Sequence, residues 1–328
     1  VAAMKRPRFA PILCALLIAQ SSLSAQSGSP TVPTPPGILP GSITAEDVPY
    51  PYPSTYFSIT TQGQELRMAY MDIAPTAPPN GHTVVLLHGN NFAGFYFGNI
   101  IEALRKDGFR VIVPDLRGFG GSTELDSEGG ASMSDYADDV ATLLDELKIE
   151  RAVIGGASMG GYAAMAFLHL AGDRVDGLVL ANTRAGADSL EARANRRNLL
   201  ALIDREGPSG VAREMMPKLL GKTTRETNPE VEANVRRLIK QQSPIGIRSA
   251  IQRMMNRPDS TPLIARTRLP TLVITGDEDE LIPVDESRSM AAAVPGATLV
   301  VIPKAGHLAN LEQPDAFNSA LTTFLAKL

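Results

Sequence analysis

The chain has 328 residues, 44% hydrophobic, 20% charged and 5% aromatic, with no tryptophan and a single cysteine, Cys14. Its 31 Lys and Arg against 35 Asp and Glu give a formal charge of −4, so no basic surplus exists to neutralise a phosphate backbone, and nucleic acid is not an expected partner. One cysteine excludes a disulfide scaffold and any cysteine-based zinc or iron–sulfur site, and the length allows one or two domains.

Residues 4–25 open with Lys5, Arg6 and Arg8, run apolar from Phe9 to Ala19 and end in small residues near Ala25. That is the plan of a secretory signal peptide. The run is shorter than the ~17–25 residues that span hydrocarbon, so cleavage is expected rather than stable membrane insertion. The expectation is therefore an exported protein, periplasmic or secreted, that loses residues 1–25, its only thiol and three positive charges. Residues 26–55 hold eight prolines among Ser, Thr and Gly. Such a composition builds no core and reads as a tether or strap.

From residue 56 onward, short β-rich runs alternate with helical ones. Residues 56–60 and 66–73 read as a hairpin turning at Gln62-Gly63. The continuous apolar runs 83–89, 110–115, 152–158 and 177–183 read as strands buried on both faces. Between them, 99–108 and 134–148 have helical spacing, the second with a serine cap at Ser134, and a further helix starts at Met159. Residues 186–268 break the alternation with four helical stretches (187–205, 209–220, 228–242, 245–257) and read as an inserted lid. Strand runs at 271–279 and 298–307 and a helix over 314–328 complete the pattern. The fold class is α/β: a doubly wound, mostly parallel sheet formed by 56–185 and 269–328, with the helical lid inserted. In such sheets the site lies beyond the carboxyl ends of the strands.

Gly156-Ala157-Ser158-Met159-Gly160 is a G-x-S-x-G string after a buried strand and before a helix, the setting that makes the string a nucleophile elbow. A serine hydroxyl needs a base to take its proton and a carboxylate to orient that base. Of the four histidines, only His307 combines a strand's carboxyl end with a loop late in the chain; His88 is read as ordering the loop it starts. The acid comes from Gly276-Asp277-Glu278-Asp279, with Asp279 preferred and Asp277 the alternative.

The order Ser158, Asp279, His307 goes with the elbow on this kind of sheet. With Leu87-His88-Gly89, DLRGFGGS at 115–122, GASMGG at 156–161, GDEDELIP at 276–283 and AGH at 305–307, the sequence resembles the α/β-hydrolase fold superfamily over roughly 56–328. It is similar to its lid-bearing serine hydrolases: 3-oxoadipate enol-lactonases, C–C hydrolases and haloperoxidase-type esterases. The resemblance implies an oxyanion hole from the backbone N–H groups of Asn90 and Met159. It also implies a small-molecule ester or lactone substrate and a two-step acyl transfer, and no metal, flavin or nucleotide site is visible in the sequence, so no cofactor is expected. A C–C hydrolase with the same triad and a non-catalytic binding protein are the alternatives.

Phe92, Phe95 and Tyr96 follow the oxyanion residue closely and are expected to line an acyl pocket. DLRGFGGS lacks the lysine of a phosphate loop and is read as structural, with Asp115 and Arg117 bracing it. The acidic stretch from Asp135 to Asp145 reads as a solvated helix face. The lid holds many arginines, from Arg193 to Arg253, and the sequence does not select one to meet a substrate carboxylate. It carries no signal of oligomeric state.

Overall fold

The computed structural model describes residues 50–61, 63–124 and 131–328; the expected signal, residues 26–49 and the turn residue Gln62 lie outside them. Strand β1 (Thr55–Thr61) pairs antiparallel with β2 (Gln64–Ile73), with Gly63 at φ +72° in the turn. Then come β3 (Thr83–Leu87), β4 (Arg110–Pro114), β5 (Ala152–Ala157), β6 (Val175–Ala181), β7 (Thr271–Gly276) and β8 (Thr298–Ile302). The eight strands form one sheet in the order β1-β2-β4-β3-β5-β6-β7-β8. It is antiparallel at β1, β2 and β4 and parallel from β4 to β8.

The continuous apolar runs sit at the centre because strands covered on both faces have no side that can be polar. Four of the five residues of β3 and of β4 and all six of β7 are buried. Helix α1 (Gly98–Lys106) packs on the C-terminal α11 (Pro314–Leu325), and α2 (Met133–Glu146) packs on α3 (Met159–Ala171). Strand order reverses where β3 lies between β4 and β5, so the loops leaving β3 and β5 diverge and open a crevice at their carboxyl ends. Helix α2 is capped by Ser132 rather than Ser134: the Ser132 hydroxyl accepts from Ser134 N at 3.2 Å, and Asp135 reaches back to Ser132 N at 3.0 Å. The carboxylate at the third helical position completes a reciprocal box that a cap at Ser134 would lack.

Between β6 and β7 the chain runs through α4 (Leu190–Leu219), α5 (Lys222–Thr227), α6 (Pro229–Lys240), α7 (Pro244–Asn256) and α8 (Thr261–Ile264). The two stretches expected over 187–205 and 209–220 form one path that bends at Gly207, φ +64°, before Pro208. A proline ring there denies the preceding turn its hydrogen bond, and glycine tolerates the left-handed backbone. Short α5 and α8, as well as α9 (Val284–Ala293) and α10 (Ala309–Glu312), are helices beyond those expected from the sequence.

Helix α7 is fastened to the core by Arg253, wholly buried, whose guanidinium takes Glu124 through two hydrogen bonds of 2.9 and 3.0 Å and lies 4.9 Å over the Tyr136 ring. Removing one partner of such a pair strands a buried charge, at a cost of about 3–5 kcal/mol.

Candidate active site

Strand β5 delivers the chain to Ser158 at φ +54°, ψ −114°, a region L-residues occupy only when the surroundings enforce it. Here Ser158 N donates to Ala181 O at 2.8 Å, and Ser158 O accepts from Gly161 N at 2.9 Å and from the Thr183 hydroxyl at 2.8 Å. The tight approach requires glycine: a Cβ on Gly160 would lie 1.9 Å from Leu87 O, and one on Gly156 would lie 2.1 Å from Gly160 O. The turn thus presents the serine hydroxyl at the start of α3.

His307, in the loop after β8, points Nε2 at Ser158 Oγ, 2.8 Å away, and Nδ1 at Asp279 Oδ2, 2.9 Å away. With Asp279 ionised, the proton sits on Nδ1, leaving the Nε2 lone pair to accept the serine proton. Asp279 is buried and fully bonded. Its Oδ1 accepts from Leu281 N and Ile282 N, both at 2.9 Å, and its Oδ2 also accepts from the Asn182 amide at 3.0 Å. Burial alone would raise the Asp279 pKa, but the His307 charge and these hydrogen bonds together hold it below the usual carboxylate value. The alternative acid, Asp277, is exposed and, among the described residues, accepts only from Ala305 N at 3.4 Å. The structure brings Asp279, not Asp277, to the imidazole.

Asn182 was not anticipated. It directly follows β6 at φ +47°, and its amide spans Asp279 Oδ2 and Gly306 O, so one side chain ties the acid loop to the histidine loop. A polar residue at a buried strand's carboxyl end was its only trace in the sequence.

The backbone amides of Asn90 and Met159 have no hydrogen-bond partner among the described residues, and both residues lie beside Ser158. The loop that carries Asn90 is held by buried His88. Its Nδ1 donates to Gly89 O at 2.9 Å and its Nε2 accepts from Leu116 N at 2.9 Å. Burial lowers its pKa to about 4, so it is neutral and already engaged at both nitrogens. Behind this loop, Asp115 accepts from Gly94 N at 2.7 Å, Gly121 N at 2.9 Å and the Tyr50 hydroxyl at 2.5 Å. Tyr50 belongs to the proline-rich segment, so the end of that segment supports the site.

A cavity of about 550 Å³ opens onto Ser158 and His307. Phe92 and Tyr96 line it, their rings stacked 5.1 Å apart. Phe95 does not line it; its ring packs edge-on against Tyr50 at 5.6 Å, because the turn over residues 94–97 directs neighbouring rings apart. From the inserted helices come Met215, Leu219 and Met254. Among the arginines from Arg193 to Arg253, Arg196 and Arg205 line the cavity. Arg196 pairs with Asp188, which also takes Arg184 at 3.0 Å and Arg257 at 2.6 Å. Arg257 in turn stacks 4.0 Å over Tyr162 in the first turn of α3. Among the described residues, no cluster of three or more His, Cys, Asp or Glu could hold a metal ion.

Residues 82–314 match the sequence profile of the alpha/beta hydrolase fold. The chain belongs to that family. In structure, it is similar to a thermophilic esterase from Thermogutta terrifontis, at 40% identity and a TM-score of 0.77, over 83% of this chain and 98% of that one. The enol-lactonase from Burkholderia xenovorans LB400 is 27% identical with a TM-score of 0.72, over 82% of this chain and 99% of that one. In sequence, the chain is 28% identical over 282 residues to the 2-hydroxy-6-oxononadienedioate/2-hydroxy-6-oxononatrienedioate hydrolase of Escherichia coli O81 (strain ED1a), covering 84% of this chain and 96% of that protein. These relatives and the alpha/beta hydrolase fold make the protein a hydrolase.

Proposed function

We propose that this alpha/beta hydrolase cleaves a carboxylic ester or lactone through an acyl-enzyme formed on Ser158. The observation that carries the reading is the unbroken chain of hydrogen bonds from Ser158 Oγ through both His307 nitrogens to Asp279. In the first step Oγ attacks the substrate carbonyl as Nε2 takes its proton, and Asp279 stabilises the imidazolium. The oxygen that becomes negative is met by the free amides of Asn90 and Met159 at the start of α3, each donor of this kind worth roughly 100–1000-fold in rate. His307 returns the proton to the leaving alcohol, then activates the water that releases the acid. His88 is unsuited to act as base because both its nitrogens are occupied.

The helices over 186–268 are assigned as a lid on the cavity, with Phe92 and Tyr96 as part of an acyl pocket that suits a small to medium apolar acid. Residues 1–25 are assigned as an export signal, which intact-mass analysis of the secreted protein tests: an N-terminus upstream of residue 20 contradicts it.

Cleavage of a C–C bond in a diketone-like substrate is the second reading, favoured by the 28% identity to the E. coli hydrolase over 96% of its length. A panel of p-nitrophenyl esters from acetate to octanoate decides between them. Turnover of the shorter esters that is abolished in Ser158→Ala supports the ester reading; activity confined to C–C substrates overturns it.

A further inference from the structure

Glu312, the last residue of α10, is a half-buried carboxylate that none of the steps above uses. Its Oε1 accepts from Gly306 N at 2.9 Å and Leu308 N at 3.2 Å, the two amides that flank His307. Its Oε2 accepts from Gly221 N at 2.8 Å, in the short link between α4 and α5. The Thr224 hydroxyl of α5 adds a further hydrogen bond. Among the described residues no cation pairs with it. One carboxylate therefore holds the histidine loop on one oxygen and the inserted helices on the other.

The same junction is closed by the backbone. His307 N donates to Leu219 O at 3.1 Å, so the base is also held from the end of α4. Gly306 and Gly221 meet without room for a side chain on either: a Cβ on Gly306 would lie 2.2 Å from Gly221 N, and one on Gly221 would lie 2.6 Å from Glu278 Oε2. Glu278, on the loop of the acid, accepts from Thr223 N at 2.7 Å. Segment 219–224 is thus bonded to both loops that supply the acid and the base, yet contributes no reacting group.

We propose that Glu312 is a positioning residue that holds His307 for proton transfer and makes the placement of the base depend on segment 219–224. The inference rests on the triad proposed above. Proton transfer needs Nε2 within hydrogen-bond reach of Oγ, and a glycine-bearing loop would not by itself hold the ring there. Fixing both neighbouring amides removes that freedom, and any movement of the inserted helices against the sheet is transmitted through Glu312 to the base. Burial raises the Glu312 pKa, with the hydrogen bonds opposing. The other charged groups at the junction are Glu278, bonded to Thr223, Asp279, bonded to His307, and Glu280, paired with Arg225 at 3.3 Å.

The test compares Glu312→Gln and Gly221→Ala with the unaltered protein, reading kcat and KM for p-nitrophenyl butyrate across pH alongside thermal melting. Loss of one ångström-scale constraint on a reacting group predicts a fall in kcat of roughly 10- to 100-fold in each variant, with KM changed less than about twofold. In Glu312→Gln the acid limb of kcat/KM should also move to lower pH, because a negative charge beside the imidazole has gone. In Gly221→Ala the charge remains, so the limb should stay while kcat falls. A folded Glu312→Gln with unchanged kcat and an unchanged acid limb overturns the proposal. Should that variant not fold, Glu312→Asp, which keeps the charge but is too short to bridge the loops, is read on kcat: a fall with an unmoved acid limb supports the proposal, and an unchanged kcat overturns it. Activity that survives in Ser158→Ala would instead overturn the triad and leave a different pattern from either result.

Discussion

Asp279 and Asp115 are both buried aspartates at carboxyl ends of sheet strands, yet their surroundings push them in opposite directions. Asp279 receives four hydrogen bonds, one of them from an imidazole that can become positive, and is held below the usual carboxylate value. Asp115 receives three, from two backbone amides and a tyrosine, has no cation partner among the described residues, and is raised by burial to about 6. Burial penalises the charge at both sites; a partner that can carry positive charge decides the sign. The first environment suits a group that must stay ionised while it orients a base. The second suits a brace that ties Tyr50 to the loop carrying Asn90.

The largest effect expected from breaking this contrast is at Asp279. Asp279→Asn should keep the fold and lower kcat about 10⁴-fold, as the imidazole loses the carboxylate that sets its tautomer; steady-state kinetics on a p-nitrophenyl ester checks this. Asp115→Asn should leave kcat within about tenfold but lower stability, since the Gly121 N–H would face an amide, at about 1–3 kcal/mol for an unsatisfied group.

The cost at Asp115 should depend on pH. A carboxylate raised above its unfolded value contributes stability that is fully present below the unfolded pKa and is lost as pH rises through about 6. The destabilisation by Asp115→Asn should therefore be larger at pH 4 than at pH 8, by up to about 3 kcal/mol. Denaturant unfolding at both pH values tests it, and an equal difference at the two would contradict the assignment. Tyr50→Phe removes only one donor to the same carboxylate, so a loss of about 1.5–3 kcal/mol in melting experiments is expected, with little change in KM. Asp277→Asn should be the mildest, within twofold in kcat, because Asp277 is exposed and does not reach His307.

Much of the sheet was legible because a strand covered on both faces must be a continuous apolar run, and the serine and the acid each follow such a run, while the histidine follows the apolar edge strand β8. What stayed hidden were partners far apart in sequence. Tyr50 meets Asp115 across 65 positions, Asn182 meets Asp279 across 97 and Gly221 meets Glu312 across 91. No local periodicity encodes those meetings; they exist only once the strands are ordered and the helical insertion is seated. Phe95 departs from the expectation for a related reason, since the three consecutive rings of Phe95, Tyr96 and Phe97 in one turn cannot all face one side. Among the arginines of the insertion, charge and composition are alike, and only the fold turns Arg196 and Arg205 toward the cavity.

The most direct test of the central claim is fluorophosphonate labelling of the folded protein followed by peptide mass spectrometry. A single stoichiometric adduct on Ser158 is expected, absent in Ser158→Ala and strongly slowed in His307→Ala. An unlabelled Ser158 in the folded, unaltered protein, or an adduct on another residue, would contradict it.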